Sequence, residues 1–478
     1  MGAVLRYNVL WVLLLFSQSS IWAQIEDDTT HHIFQPDGSE FERPEPEAHS
    51  LQEFCSKGHI HGHFRNFFMA TIHLGSLKDY WTNASGGTLA YESAVWRHIQ
   101  FGIKGIFSYQ TLSSDLLAPD SQAMQGAKWE VELYDVNRPE EKHDLDRLEE
   151  LFLKYYFPKG GYVVAGKIDI NQGPLFLRRD GRMKPFVYRG IWSRLPIKSH
   201  HILHLGWIEG VSPRGMTNWY TLSEAIGLTN QGIQPDGSQA HDHTHVPTRG
   251  IGVAGYESDQ IPHFKLHVWN HWFDKMMYMS WVQADYHKEN VFAGLQLVYQ
   301  APLSYQAKLA YKHRYMQAEE RGKVINLQIG IKTGGFRLSM AFLHSLGAGR
   351  FLFPRELGRE HFYVSQPRSW IDGLGNTYIG MLRLRYQGIE GNWQRLKADL
   401  RLSYTEVQEK GAYIWNKYRS PSFYQTTLRM NYGFPHAFNG LELMLLYLHK
   451  YSPDTLTAAE TFYRSHFHHL NVVMNINF

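Results

Sequence analysis

The chain has 478 residues, and its 48 lysines and arginines against 45 aspartates and glutamates leave a formal charge of +3. That near-balance decides nothing by itself, since what matters is where the charges fall, and a single cysteine, Cys55, excludes an intrachain disulfide. Aromatic residues make up 14% of the chain and no stretch reaches about 18 apolar residues, so no membrane-spanning helix is predicted.

Met1 to Ala23 carries Arg6, an apolar run from Val9 to Phe16, and Ser20-Ile21-Trp22-Ala23 before Gln24. This is the pattern of a secretory signal peptide, so residues 1–23 are expected to be removed and the mature protein exported. Residues 24–57 are predicted to form an acidic, poorly ordered N-terminal extension, rich in Asp and Glu and punctuated by Pro36, Pro44 and Pro46. A solvated tail is the simple reading of such a run, and a partner-binding arm the alternative. Cys55 reads as a buried or incidental thiol.

From about Gly58 to the last residue the texture is alternation. Ile99, Phe101, Ile103 and Phe107 form one apolar row, and Val291, Ala293, Leu295, Leu297 and Tyr299 another. Tyr305 to Tyr311, Ile325 to Ile331, Phe336 to Phe342, Leu382 to Tyr386 and Leu396 to Tyr404 repeat the pattern. Each is predicted as a strand with one apolar and one polar face. The polar faces are biased to one sign: Lys308, Lys312, Lys332, Arg337, Arg383, Arg385, Arg395, Lys397, Arg401 and Arg429 meet little acid besides Asp399. An ordinary solvated sheet surface is the bland explanation. A closed transmembrane barrel explains more, because its apolar outside needs lipid and its charged inside needs water. Roughly 420 residues at about 23 per strand and connection give about 18 antiparallel strands, enough to leave an aqueous lumen. The chain ends mid-alternation on Leu470, Val472, Met474, Ile476 and Phe478, as expected where a last strand must pair with the first.

The stretch Gly166–Trp192 breaks at Gly173-Pro174 and then packs Arg178, Arg179, Arg182, Lys184 and Arg189 around the single acid Asp180. Held between Pro174 and Pro185, it is predicted to be a loop that presents fixed cations, not a core strand or helix. Asp180-Gly181-Arg182-Met183-Lys184-Pro185 resembles the Asp-x-Arg-Met-x-Pro signature of the OprD family of bacterial outer-membrane porins. The preceding strand Tyr162–Ile170 carries Gly166-Lys167 where that family commonly has Gly-Arg. Arg65-Asn66-Phe67-Phe68, Leu89-Ala90-Tyr91-Glu92-Ser93 and the aromatic strand Glu149–Phe157 resemble the family's strands in the same order. Gly173-Pro174-Leu175 departs from the expected threonine-proline, and the acidic tail is atypical. A terminal Phe478 also resembles the signal that barrel-assembly machinery recognises.

The resemblance implies an all-β, 18-stranded barrel over residues 58–478, a monomer or loose trimer in the bacterial cell outer membrane, narrowed by inward-folded constriction loops. It implies passive diffusion of small anionic or zwitterionic solutes, such as amino acids, peptides and organic acids, past a ladder of basic side chains. Arg178, Arg179, Arg182 and Lys184 are the predicted constriction residues, with Asp180 as a loop anchor. The predicted lumen ladder is Lys308, Lys312, Lys332, Arg337, Arg383, Arg385, Arg395, Lys397 and Arg401. The alternative function is a plugged barrel that binds surface polysaccharide, using Trp192 or Trp370. No nucleophile elbow and no phosphate loop is present, so no enzyme activity and no cofactor are expected. His241-Asp242-His243-Thr244-His245 could hold a metal, but a solvated loop is the simpler reading, and no metal site is predicted. Trp207, Trp219, Trp272, Trp281 and Tyr278 suit aromatic girdles.

Overall fold

The computed structural model describes residues 47–143, 145–176, 181–409, 411–435 and 438–478. The strands are β1 (His59–His73), β2 (Tyr80–Glu92), β3 (Ile99–Ser113), β4 (Leu145–Tyr156), β5 (Tyr162–Ile168), β6 (Val187–Lys198), β7 (His201–Ser212), β8 (Tyr220–Thr221), β9 (Ile251–Ser258), β10 (Phe264–Phe273), β11 (Met277–Lys288), β12 (Val291–Pro302), β13 (Gly322–Thr333), β14 (Phe336–Ser345), β15 (Thr377–Gln387), β16 (Leu396–Glu406), β17 (Phe423–Gly433), β18 (Leu441–Tyr451) and β19 (Phe467–Asn477). β8 is a two-residue appendage of β7, and the other eighteen close into one antiparallel transmembrane barrel. Among the described residues no helix is long and apolar enough to cross a membrane.

Closure is made by β1 and β19, which pair from His63↔Asn477 to His73↔Phe467. The seam continues one step further: Gly62 and Phe478 exchange backbone hydrogen bonds of 2.9 and 3.0 Å. A Cβ on Gly62 would lie 2.3 Å from the Thr88 carbonyl oxygen and 3.0 Å from the Phe478 ring, so a side chain there would push the last residue off the seam.

Alternation sorts the two faces of the wall. Ile329 and its cross-strand partner Met340 are 61% and 64% exposed, while Asn326, on the other face of β13, is fully buried. The Leu327, Leu382 and Leu402 rows point out, and Asn326, Arg383 and Arg401 point in. An apolar outer belt around a polar interior is what lipid on one side and water on the other select.

The termini share one end of the barrel. Connections at that end are short, such as 199–200, 289–290 and 334–335. The opposite end carries 114–144, 169–186, 213–250, 303–321 and 346–376. Two of these loops pack inside the wall. Loop 346–376 buries Phe351, Leu352, Phe353, Leu357, Phe362 and Ile371 against Trp269, Phe273, Met279 and Trp281 on β10 and β11 and against Leu175 and Phe176. Loop 114–144 buries Leu116, Trp129, Leu133 and Tyr134 against Phe67, Met69, Tyr80 and Met183.

Three expectations are corrected. Tyr305–Tyr311 is not a strand but two 3-10 turns, Ser304–Lys308 and Tyr311–His313. Its alternation is defeated by Gln306, which is fully buried and binds Tyr315 N, Met316 N and the Lys275 carbonyl. Trp281 joins no girdle: it points inward and stacks on Phe362, with ring centroids 4.5 Å apart. Trp207 and Trp272 do face outward. At the N-terminus, residues 47–57 are structured. Ala48 N bonds to the Val95 carbonyl, and Ser50 caps a short helix, Leu51–Ser56, in which Cys55 is exposed. Residues 1–46, with the signal peptide and most of the acidic extension, lie outside the described residues.

Candidate channel and its cationic walls

A cavity of about 990 Å³ runs between the two inner loops. It is lined by Ser420 and Arg464 at the loop end and by His63, Asn475 and Asn477 at the terminal end. A second cavity, about 710 Å³, lies against β13–β17 toward the terminal end. Arg429 lines both.

The wall of the second cavity is built by register. Lys332 pairs with Arg337, Arg337 with Arg385, Arg385 with Asp399 and Asp399 with Arg429, so five inward side chains cross five strands in one row. Arg383 and Arg401 face each other one level further in. Like charges directly opposite one another in a sheet are mutually destabilising, so the row needs a counter-charge. Asp399 supplies one. Arg383 binds it through Nε at 2.8 Å and Nη2 at 2.5 Å, and Arg401 through Nε at 3.1 Å and Nη2 at 2.6 Å. Arg401 also donates to the Ser365 carbonyl, which ties loop 346–376 to the ladder. The Arg337 guanidinium lies over the Phe292 ring, 3.7 Å from its centroid. Lys397 and Lys332 complete the cationic side. His263, His267 and Asp285 face them.

Three other ladder candidates fall elsewhere. Lys308 and Lys312 sit exposed on loop 303–321, because their segment is not a strand. Arg395 lies in a 3-10 turn, Gly391–Arg395, where it donates to the Phe434 carbonyl and lines neither cavity.

Of the predicted constriction residues, Arg178, Arg179 and Asp180 lie outside the described residues. Arg182 lines the central cavity, where it binds Glu132 through Nε, at 2.6 Å, and Nη2. Arg214 reaches the same carboxylate oxygen at 3.4 Å, so one acid serves two arginines. Lys184 is corrected from a solute-facing residue to an anchor. It is fully buried and donates to Ser108 Oγ and to the Tyr134 carbonyl, stitching loop 169–186 to β3 and loop 114–144. Burial pushes its ammonium down to about 7.

The arginines of loop 346–376 were not singled out from the sequence. Arg355 pairs with Asp372 at 3.0 Å and lies over the Tyr418 ring at 3.7 Å. Arg359 lies over Trp370 and donates to the Gln366 and Ser369 carbonyls. Arg368 lies over Trp129 at 4.6 Å and binds His469. Lys450, near the loop end of β18, points to the same place. The available signal was a long, non-alternating stretch mixing Phe351, Phe353, Phe362 and Trp370 with arginines, since long loops inside compact folds are commonly functional. Among the acids lining the central cavity, Glu356 accepts from Thr229 N, Thr229 Oγ1 and Asn230 N, and burial raises its pKa.

Two members of the histidine tract are engaged by neighbouring loops. His245 stacks flat on His313 at 3.7 Å, and Asp242 is taken by Lys417 at 2.9 Å. Among the described residues no group of three His, Cys, Asp or Glu side chains is placed to hold a metal ion.

No family model matches the chain, and no curated protein sequence does. Solved structures do match over nearly their whole length. OccAB4 of Acinetobacter baumannii is 13% identical, with a TM-score of 0.66 over 88% of this chain and 98% of that one. Pseudomonas aeruginosa OccK9 (OpdG) is 13% identical, with a TM-score of 0.66 over 89% and 100%. Pseudomonas aeruginosa OpdK, solved with vanillate, is 14% identical, with a TM-score of 0.63 over 89% and 99%. The chain has the fold of the OprD-family porins.

Proposed function

We propose that this protein is an outer-membrane channel for the passive, partly selective diffusion of small carboxylate-bearing solutes. The observation that carries this reading is the row Lys332–Arg337–Arg385–Asp399–Arg429, with Arg383 and Arg401 behind it. Guanidinium groups stay charged, match a carboxylate in shape and are weakly hydrated. Fixed in a low-dielectric wall, they concentrate anions. Repeated weak contacts along the wall let a solute leave as readily as it enters. Phe478 would be read by barrel-assembly machinery; its outward ring beside the closing seam supports that role.

The test is current through purified protein in planar bilayers under a salt gradient. The expected result is anion preference, reduced or reversed by Arg337→Glu with Arg385→Glu. Absence of current from folded protein would overturn the reading. The polysaccharide-binding alternative draws on the two loops that fill much of the barrel. It loses one anchor, because Trp192 is buried and bonds to Gln172.

A further inference from the structure

Several cations in the interior pair with an acid. Arg355 has Asp372, Arg182 and Arg214 share Glu132, and Arg383 and Arg401 share Asp399. One cluster beside the central cavity does not. The Arg368 guanidinium touches the Nε2 of His469, at 3.1 Å from its Nε, the Met69 sulfur at 3.6 Å and the Trp129 face. Lys450 Nζ touches the Arg368 carbonyl at 3.5 Å, Ser369 Oγ at 3.3 Å and the Phe423 ring at 3.6 Å. Lys128 lines the same cavity, exposed, and the acid it feels there, Glu132, is already shared by Arg182 and Arg214.

The cluster is fixed in place. Gln425 accepts from Ser369 Oγ at 2.5 Å and donates to the Pro367 carbonyl at 2.8 Å. Arg359 holds the Gln366 and Ser369 carbonyls. His469 takes Arg368 on Nε2, which leaves its proton on Nδ1 facing Thr71 Oγ1 at 2.9 Å. It is therefore neutral and supplies no compensating charge.

Nearby acids are turned away. Glu130 is fully buried behind the wall, accepting from Thr71 Oγ1 and Tyr463 OH at 2.5 Å each, and does not line the cavity. Glu442, the lining acid on β18, is eight residues from Lys450, about 26 Å along the strand. Lys450 is only 6% exposed, so its charge has little water to lean on.

We infer that Arg368, Lys450 and Lys128 form a binding site for a doubly charged anionic group, either a compact dicarboxylate or a tetrahedral oxyanion. This rests on the channel reading above and deepens it. A monoanion would leave most of the cluster's charge unbalanced, whereas a dianion satisfies two preorganised cations at once.

Two measurements separate the inference from the reading it rests on. In detergent-solubilised protein, quenching or enhancement of tryptophan fluorescence (Trp129 lies under Arg368) is followed during titration with succinate, sulfate, acetate and chloride. In bilayers, block of the chloride current is followed with the same anions. The expected result is that succinate or sulfate acts at a concentration at least tenfold below acetate. Lys450→Met, which keeps the stem against Phe423, and Arg368→Gln should each reduce that preference about tenfold or abolish it. Arg385→Gln should weaken anion selectivity and keep the preference. Succinate acting without sulfate assigns the site to dicarboxylates, and sulfate without succinate to oxyanions. Equal action by monoanions and dianions, or an unchanged preference in folded Lys450→Met, overturns the inference. Dianion binding without any current supports the site and overturns the channel.

Discussion

The inner faces of β9–β11 and of β14–β17 obey the same alternation and end in opposite environments. On β14–β17 the inward Arg337, Arg385, Asp399 and Arg429 line an open cavity, while Arg383 and Arg401 lie buried one level further in, where Arg401 meets loop 346–376. On β9–β11 they include Val253, Trp269, Phe273, Met277, Met279 and Trp281, all buried under loop 346–376. An inward position in a wide barrel is therefore not always a wet one. Where a loop covers the wall the residues read as protein core, and where none does they read as a charged lumen. Loop 346–376 joins the two walls, packed on the apolar one and hydrogen-bonded to Arg401, Ser403 and Gln425 on the charged side.

The largest expected effect comes from the covered wall. Trp281→Ala removes the ring stacked on Phe362 and should cost about 3–5 kcal/mol, the range for large aromatic truncations in a packed core. Loop 346–376 should loosen, which hydrogen exchange across 351–374 would show as lost protection and bilayer recordings as a larger, noisier conductance.

A second effect comes from the other inner loop. Glu130 has no exposure, and burial pushes its carboxyl up to about 7 against the hydrogen bonds from Thr71 and Tyr463. A raised carboxyl pKa means the folded state holds a proton that the unfolded state has lost. The stabilisation from the proton is thus complete below about pH 4.5 and is lost as pH rises through 7. Docking of loop 114–144 should weaken by about 2–3 kcal/mol between pH 5 and 8. Glu130→Gln should flatten that dependence, as read from thermal unfolding in detergent at the two pH values.

In the open wall, Asp399→Asn leaves Arg383 and Arg401 without their acid. The loss should be about 1–3 kcal/mol, smaller than for a sealed core because the row borders a water-filled cavity. Anion preference should rise at the same time, a combination that simple damage to the barrel would not produce. At the small end, Lys308→Ala and Lys312→Ala should change neither conductance nor selectivity, and stability by less than about 0.5 kcal/mol. A measurable drop in anion current from either would put the lumen where these turns are.

The contrast between the walls also marks what could be read from the residues. The barrel was legible because lipid and water impose a period of two, and Leu327, Met340 and Leu402 keep it without interruption. Register then places Arg337, Arg385 and Lys397 on one side, so most of the ladder followed. Tyr305–Tyr311 shows the limit: four alternating residues imitate a strand, yet the segment folds as 3-10 turns with Gln306 held by Tyr315 N, Met316 N and the Lys275 carbonyl. Lys184 shows another, because a basic residue in a basic loop looks solvated until Ser108 and the Tyr134 carbonyl are found on it. Arg355, Arg359, Arg368 and Lys450 come together only through the path of loop 346–376 across the barrel, which no local pattern encodes. Trp281 was misplaced for the same reason.

Cysteine accessibility in a Cys55→Ser background reports most directly whether the cationic face encloses water. Arg385→Cys and Lys397→Cys in membrane-embedded protein should react quickly with a charged, water-soluble thiosulfonate and lower the channel current. Leu327→Cys and Leu382→Cys should stay unmodified. Rapid labelling of the leucine positions with protected arginine positions would place water on the other side of the wall and contradict the account.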